Sequence, residues 1–460
     1  MKKVLLVAFA YPPLPYIGSI RPGALAKYLP KFGWEAVVLT PRYGEGKRPP
    51  FATVIETDYA DVIANLKAKL RLDPQRGLHQ QLNLPQHNQP GRALPHTKVI
   101  AWLKSLLSFP DETRGWLPSA MAEVQRLGTA PTVDAILSTS PPVSTHLIAA
   151  AAKKKLGVPW VADLRDLWVA PETSHWGMDL LQRRLERKTF SSADAIVTVS
   201  ENWAQFLSQR HSSKTVYWAL TGFDPDEYAN QQRPLTSTFS ITYTGILYQG
   251  KRDPTLLFEV LQELLHEKLL ARDEVRVRFY GRCEPWLVAL VERFQLQDVV
   301  ELRGSVSREE SLASQQEAQL LLLLGMNVAS DAGCYPGKLF EYLAAGRPIV
   351  ALGGLRGALT NLLNDTKAGL HVFSKLELRN YLLDSYRQFR RCGRVEYAGV
   401  PARIAQYTQL ALAQRFAAVL DGVSTGRKPS PSAISEETAY SLPHNRRDVE
   451  EDIGIISSRH

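Results

Sequence analysis

Short apolar runs closed by glycine or loop residues alternate with helical stretches along most of the chain, and this alternation limits the fold more than any other feature. Val4 to Phe9 is uninterruptedly apolar, as a parallel strand covered on both faces must be. A loop containing Pro and Gly and a helical stretch from Pro22 to Lys31 follow it. Trp34 to Thr40 reads as a second strand, Asp134 to Ser138 and Pro159 to Asp163 as later ones with a helix from Ser144 to Leu156 between them, and Ala193 to Ser200 as one more. A second series comprises Phe239 to Gly245, Val275 to Gly281, Val299 to Gly304 and Leu320 to Leu324. Strands alternating with helices predict an α/β protein with doubly wound parallel sheets. At 460 residues there is chain for two such domains. The polar stretch Thr221 to Thr236, with Pro225 and Pro234, is the expected linker. The expected division is 1–220, 221–400, a terminal helix over 401–422 that can pack back toward the first domain, and a disordered tail over 423–460 rich in Ser, Pro and mixed charge. Residues 73–95, rich in Gln, Pro, His and Asn, predict a mobile excursion.

A net charge of +9 and a pI near 9.3 favour an anionic partner: a nucleotide phosphate, an acidic membrane surface or a nucleic acid. No zinc-finger spacing, aromatic ribonucleoprotein motif or long basic run supports nucleic acid. The three cysteines, Cys283, Cys334 and Cys392, lack metal-ligand spacing and are odd in number, which suits a reducing, cytoplasmic compartment. The opening Met1 to Ala10 imitates a signal peptide, but its short apolar core runs into Tyr11-Pro12-Pro13 and reads as a buried strand. No apolar run reaches the roughly 18 residues of a spanning helix.

Ligands of open parallel sheets sit beyond the strand C-termini, where helix N-termini offer free N–H groups to phosphates. Three segments occupy such places. In Tyr11 to Arg21, Gly18 permits close backbone approach or a simple turn, Ser19 follows it, and Arg21 can touch an anion. Asp163-Leu164-Arg165-Asp166-Leu167-Trp168 sets two carboxylates and a guanidinium behind a buried strand, either as acid-base groups or as a structural ion-pair network. In Tyr335 to Val350, Pro336 and Gly337 open a short helix that Gly346 and Pro348 stop. Lys338 stands in its first turn and can reach a phosphate. Glu341, three residues on, can accept from two ribose hydroxyls or serve only as a partner of the helix dipole.

Up to about Gly422 the chain resembles glycosyltransferase family 4, with the two-domain GT-B architecture of two Rossmann-like domains facing a cleft. The resemblance is carried by Tyr11-Pro12-Pro13 with Gly18-Ser19-Ile20-Arg21 and Leu25 to Leu29, by Ser138-Thr139-Ser140-Pro141-Pro142, by Asp163 to Trp168, by Ala193 to Ser200 and by Lys338 to Pro348. It implies a nucleotide-sugar donor held by the second domain, a glycan or lipid-linked acceptor held by the first, retention of anomeric configuration, and no cofactor or obligatory metal. By analogy Glu341 binds the donor ribose, Gly18 lies near the diphosphate, and Lys251 and Arg252, after Gly245, hold the phosphates together with Lys338. Asp163 and Asp166 orient or deprotonate the acceptor, with Arg165 fixing them, and no nucleophile is named.

Two departures stand against the family pattern. Gly333 occupies the position eight residues before Glu341 where relatives often carry a second glutamate, and Asp331 is out of register. The first-domain histidine of many relatives is also missing, His146 reading as a packed helix residue. A nucleotide-sugar epimerase and a silent scaffold are the alternatives, while a dinucleotide-dependent oxidoreductase lacks its glycine fingerprint. Val99, Trp102, Leu103, Leu106 and Leu107, with Lys98, Lys104 and Trp116, suit an interfacial helix, hence peripheral attachment to the inner membrane face, and equally a face packed on a neighbour.

Overall fold

The computed structural model describes residues 1–14, 16–43, 46, 48–61, 108–127, 133–169, 178–228, 233–325 and 335–426. Among these, β1 (Lys2–Ala8), β2 (Trp34–Pro41), β3 (Thr53–Thr57), β4 (Ala135–Ser140), β5 (Trp160–Leu164), β6 (Ala195–Thr198) and β7 (Thr215–Trp218) form a seven-stranded sheet in the order β3-β2-β1-β4-β5-β6-β7. A six-stranded sheet, β10-β9-β8-β11-β12-β13, contains β8 (Phe239–Thr244), β9 (Val275–Tyr280), β10 (Val300–Gly304), β11 (Leu320–Leu324), β12 (Ile349–Leu352) and β13 (Gly369–Val372). Their ladders are parallel. Strand order reverses between β1 and β4 and between β8 and β11, so each sheet opens a crevice at those strand ends.

The continuous apolar runs have the expected cause. In β1, Val4, Leu6 and Ala8 enter the core on one side of the sheet, Leu5 and Val7 the core on the other. In β11, Leu320, Leu322 and Leu324 are likewise divided from Leu321 and Leu323. Each such valine or leucine contributes about 1.5–3 kcal/mol by its burial. The helices that frame the site are α1 (Ile20–Tyr28), α2 (Ser144–Leu156), α3 (Glu201–Arg210), α4 (Arg308–Glu317), α5 (Gly337–Ala345) and α6 (Gln409–Thr425). The last crosses back to the first sheet, where Leu412, Phe416 and Leu420 join the core of Val4 and Leu6. Lys2 Nζ pairs with Asp421 at 2.7 Å on its outer side.

The helix expected over Pro22 to Lys31 starts earlier and ends at Tyr28, continuing as a 3-10 turn through Phe32 that the left-handed Gly33 stops. Strands β3, β7 and β13 have no counterpart in the periodicity analysis: each has four or five residues and is only partly buried at a sheet edge. Trp116, grouped above with an interfacial pattern, is instead fully buried, its Nε1 donating to Thr57 Oγ1 at 2.7 Å. The terminal helix expected over 401–422 begins at Gln409 and runs to Thr425, into the stretch expected as tail, because its apolar face continues to pack on the first sheet. The rest of the Trp116 pattern, from Lys98 to Leu107, lies outside the described residues, as do 73–95, Asp331, Gly333, Cys334 and the residues from 427 onward. Among the described residues no helix is long and apolar enough to cross a membrane.

Candidate active site

The crevices of the two sheets meet in a cleft of about 710 Å³. Gly18, Arg165, Asp166 and Trp203 line it from the first sheet, Gly245, Arg308, Gly337, Lys338 and Glu341 from the second, and Asp224, Glu227 and Tyr228 from the segment between.

The second-sheet wall is built around α5. Pro336 fixes the approach to its first turn, so Lys338 and Glu341, three residues apart, stand on one face beside the positive end of the helix. Lys338 Nζ donates to Tyr243 Oη at 3.0 Å and lies 4.5 Å from that ring's centroid. Burial, with the nearby Arg252 adding to it, pulls the ammonium down to about 7, against a weaker opposing effect of Glu341. Space for Lys338 exists because residue 245 is glycine: a Cβ there would stand 2.1 Å from Lys338 Cε, and its φ of +118° already disfavours a side chain. Gly245→Ala is therefore expected to swing Lys338 off Tyr243 at a stability cost of about 1–2 kcal/mol and, if Lys338 meets a phosphate as the sequence leads one to expect, to weaken nucleoside diphosphate binding about tenfold. Parallel calorimetric titration and urea unfolding check it; unchanged affinity rejects the spatial argument.

Glu341 is held on both oxygens. Arg308 Nη1 donates to Oε1 at 3.0 Å and Gln315 Nε2 to Oε2 at 3.1 Å. Gln315 also reaches Thr244 Oγ1 at 3.0 Å. Its pairing with Glu341 leaves open lone-pair directions on the carboxylate toward the cleft.

The first-sheet wall departs from expectation. Asp163 is fully buried and does not line the cleft. Its oxygens accept from Arg21 Nε at 2.9 Å, Arg21 Nη2 at 2.7 Å and Thr139 Oγ1 at 2.7 Å. Arg21, only 1% exposed, also donates from Nη1 to the Ala219 carbonyl at 2.8 Å and lies over the Phe416 ring. The expected catalytic Asp163 and anion-touching Arg21 are thus partners in an ion pair that ties β5, α1, the end of β7 and α6 together. Two such charges satisfy one another at low cost only when they meet, and although Arg21 borders the cleft, its guanidinium is taken up by Asp163 and the Ala219 carbonyl.

Arg165 does not fix the two aspartates by hydrogen bonds. It clips three loop carbonyls instead: Nε to Ser140 at 2.9 Å, Nη1 to Gly18 at 2.6 Å and Nη2 to Pro141 at 2.9 Å. Gly18 permits that approach, since a Cβ would meet the Tyr16 ring at 2.5 Å and Arg165 Nη1 at 3.2 Å. Ser19 Oγ is turned into its own loop, toward the carbonyls of Leu14 and Tyr16, and does not line the cleft. Asp166 does line it, and desolvation raises its carboxyl above the ordinary range against the pull of Arg165.

Lys251 and Arg252 sit on the tight loop after Gly245 and do not line the cleft. Both backbone amides bond the Tyr248 carbonyl, and the Arg252 guanidinium lies over the Tyr248 ring. His146 is buried, its Nδ1 2.8 Å from Ser138 Oγ, and desolvation draws it down to about 3. Sequence reasoning missed Arg308, Gln315, Glu227, Tyr228 and Trp203. Arg308 had a signal, since Gly304 and Ser307 repeat the pattern of strand end, loop and helix cap. The others lie on a linker, on a helix face turned to the sheet, and in a helix first turn, and no spacing marks them.

Residues 20–216 match the model of the glycosyl transferase 4-like domain. No curated protein matches the sequence. Among solved structures, HepE from Anabaena, determined in complex with UDP and glucose, is 13% identical with a TM-score of 0.55, over 92% of this chain and 100% of its own. A sucrose-phosphate synthase from Thermosynechococcus elongatus gives 14% and 0.56, over 93% and 100%. The pneumococcal O-GlcNAc transferase GtfA, in complex with UDP and GlcNAc, gives 10% and 0.51, over 92% and 99%. The likeness to glycosyltransferase family 4 therefore holds, and the chain has the GT-B fold, two Rossmann-like domains facing a cleft.

Proposed function

We propose that this chain, like family 4 glycosyltransferases in fold and motif, moves a glycosyl unit from a nucleoside diphosphate sugar to a hydroxyl of a polysaccharide, glycolipid or related acceptor. The observation that carries the reading is the pair Lys338 and Glu341, one turn apart at the mouth of α5, with Gly245 clearing room for the lysine. Lys338 and the α5 N-terminus meet the diphosphate, and Glu341 takes the ribose hydroxyls. UDP is the first nucleotide to test, since HepE and GtfA bind it.

In the step proposed, the bond between the sugar C1 and the β-phosphate oxygen breaks, and the acceptor oxygen bonds C1 on the same face. The acceptor proton passes to the leaving phosphate. Asp166, open to the cleft, orients the incoming hydroxyl. Lys338 and the helix dipole stabilise the departing diphosphate without an obligatory metal. Cytoplasmic location, with peripheral contact to an anionic inner membrane face for a lipid-linked acceptor, belongs to the same reading.

The test is titration of a nucleotide-sugar panel into the purified chain and its Glu341→Ala variant. One donor is expected to bind, and the variant to lose about tenfold to a hundredfold in affinity, the worth of a charged hydrogen-bond acceptor. If no nucleotide sugar binds at millimolar concentration, the reading fails.

A further inference from the structure

The segment between the two sheets is acidic on two sides. Asp224 caps the 3-10 turn Pro225–Glu227. Its carboxylate accepts from Lys27 Nζ at 2.7 Å and Tyr28 Oη at 2.6 Å, both on α1. Asp226 takes the same two partners at 2.7 and 3.0 Å. Glu227, the next residue, turns the other way and forms a fork with Arg308, whose Nε and Nη2 donate at 3.0 and 2.7 Å. The remaining arm, Nη1, reaches Glu341.

A bidentate pair fixes the plane of a guanidinium. The direction of Nη1, and with it the side of the Glu341 carboxylate that Gln315 does not hold, is therefore set by Glu227, a residue that belongs to the joining segment and not to the second sheet's own helices. The two carboxylates raise the Arg308 pKa, Glu227 foremost, so the guanidinium stays charged. Tyr228, beside Glu227, adds a buried hydroxyl with no hydrogen-bond partner among the described residues and lines the same corner of the cleft.

We infer that Glu227 is a positioning residue for the donor site: acting through Arg308, it aims the Glu341 carboxylate at the ribose hydroxyls of the nucleotide, so that nucleotide recognition depends on the turn that joins the domains. The inference rests on the reading of Glu341 as the ribose-binding group. It also ties that recognition to α1, because Asp224 and Asp226 anchor the same turn to Lys27 and Tyr28.

The test is calorimetric titration of the full chain with whichever of UDP, GDP and ADP binds best, and with its 2′-deoxy counterpart. Glu227→Ala is expected to weaken the ribonucleotide about fivefold to tenfold, the worth of one hydrogen bond, and to weaken the deoxynucleotide, which keeps only the 3′-hydroxyl, by less. Glu227→Gln, which keeps an acceptor oxygen, falls between. The double variant Glu227→Ala with Arg308→Ala binds no more weakly than Arg308→Ala alone, since both act on one relay. Equal losses for ribo- and deoxynucleotide, no loss, or additive losses overturn the inference while leaving the donor site standing. If the wild-type chain binds none of the three nucleotides, the donor reading falls and takes the inference with it.

Discussion

Asp163→Ala is expected to destabilise the first domain by about 3–5 kcal/mol, because it leaves the Arg21 guanidinium buried without a counter-charge. Arg21 is 1% exposed and cannot turn to water without opening the contacts among α1, β5 and α6. Removing the carboxylate also orphans Thr139 Oγ1, which donates to it at 2.7 Å. Urea unfolding followed by circular dichroism should show the first transition moved to lower denaturant. The double variant Asp163→Leu with Arg21→Met should recover much of the loss, since replacing both members of a buried pair is far less harmful than breaking it. The two substitutions separate the ion pair's role in folding from any role in transfer. If Asp163→Ala is as stable as wild type yet inactive, the carboxylate is catalytic after all.

Lys338→Gln is expected to lower turnover of the donor by about a hundredfold to a thousandfold, the usual effect of removing a charge-stabilising donor from an active site. The pH dependence gives an independent reading. In the free protein the ammonium titrates near 7, below the ordinary 10.5 of lysine. A diphosphate anion favours the protonated form, so above pH 7 binding must take up a proton. Affinity should then fall by up to about tenfold per pH unit between pH 7.5 and 9.5, where the diphosphate is already fully ionised. Lys338→Gln should be flat over that range. A wild-type profile equally flat would mean that Lys338 does not meet the phosphates.

Much of this was legible in the chain itself. The runs from Val4 to Ala8 and from Leu320 to Leu324 are apolar at every position because each strand feeds two cores, and no other arrangement uses such a run so fully. The entry to α5 was legible for the same local reason: Pro336 before the helix, Gly337 at its first position, and Gly346 with Pro348 after it are instructions that neighbouring residues carry out by themselves. Glu341 and Lys338 follow from it, because helical spacing alone puts them on one face. β3, β7 and β13 were illegible because four or five half-buried residues carry no period, and pairing to a longer neighbour, not their own pattern, makes them strands.

What composition and spacing could not decide was the assignment of the charges. Asp163, Arg165 and Asp166 are nearly adjacent in sequence, yet one is locked to an arginine 142 residues away, one clips three carbonyls, and one faces the cleft. Glu227 and Arg308 likewise meet across 81 residues. Local sequence determined the strands, the helix entries and the places where a ligand can approach backbone, because those depend on a residue and its near neighbours. Only the tertiary structure decided which ionised groups neutralise one another and which remain open to a substrate, because that depends on desolvation and on partners that distant segments bring together.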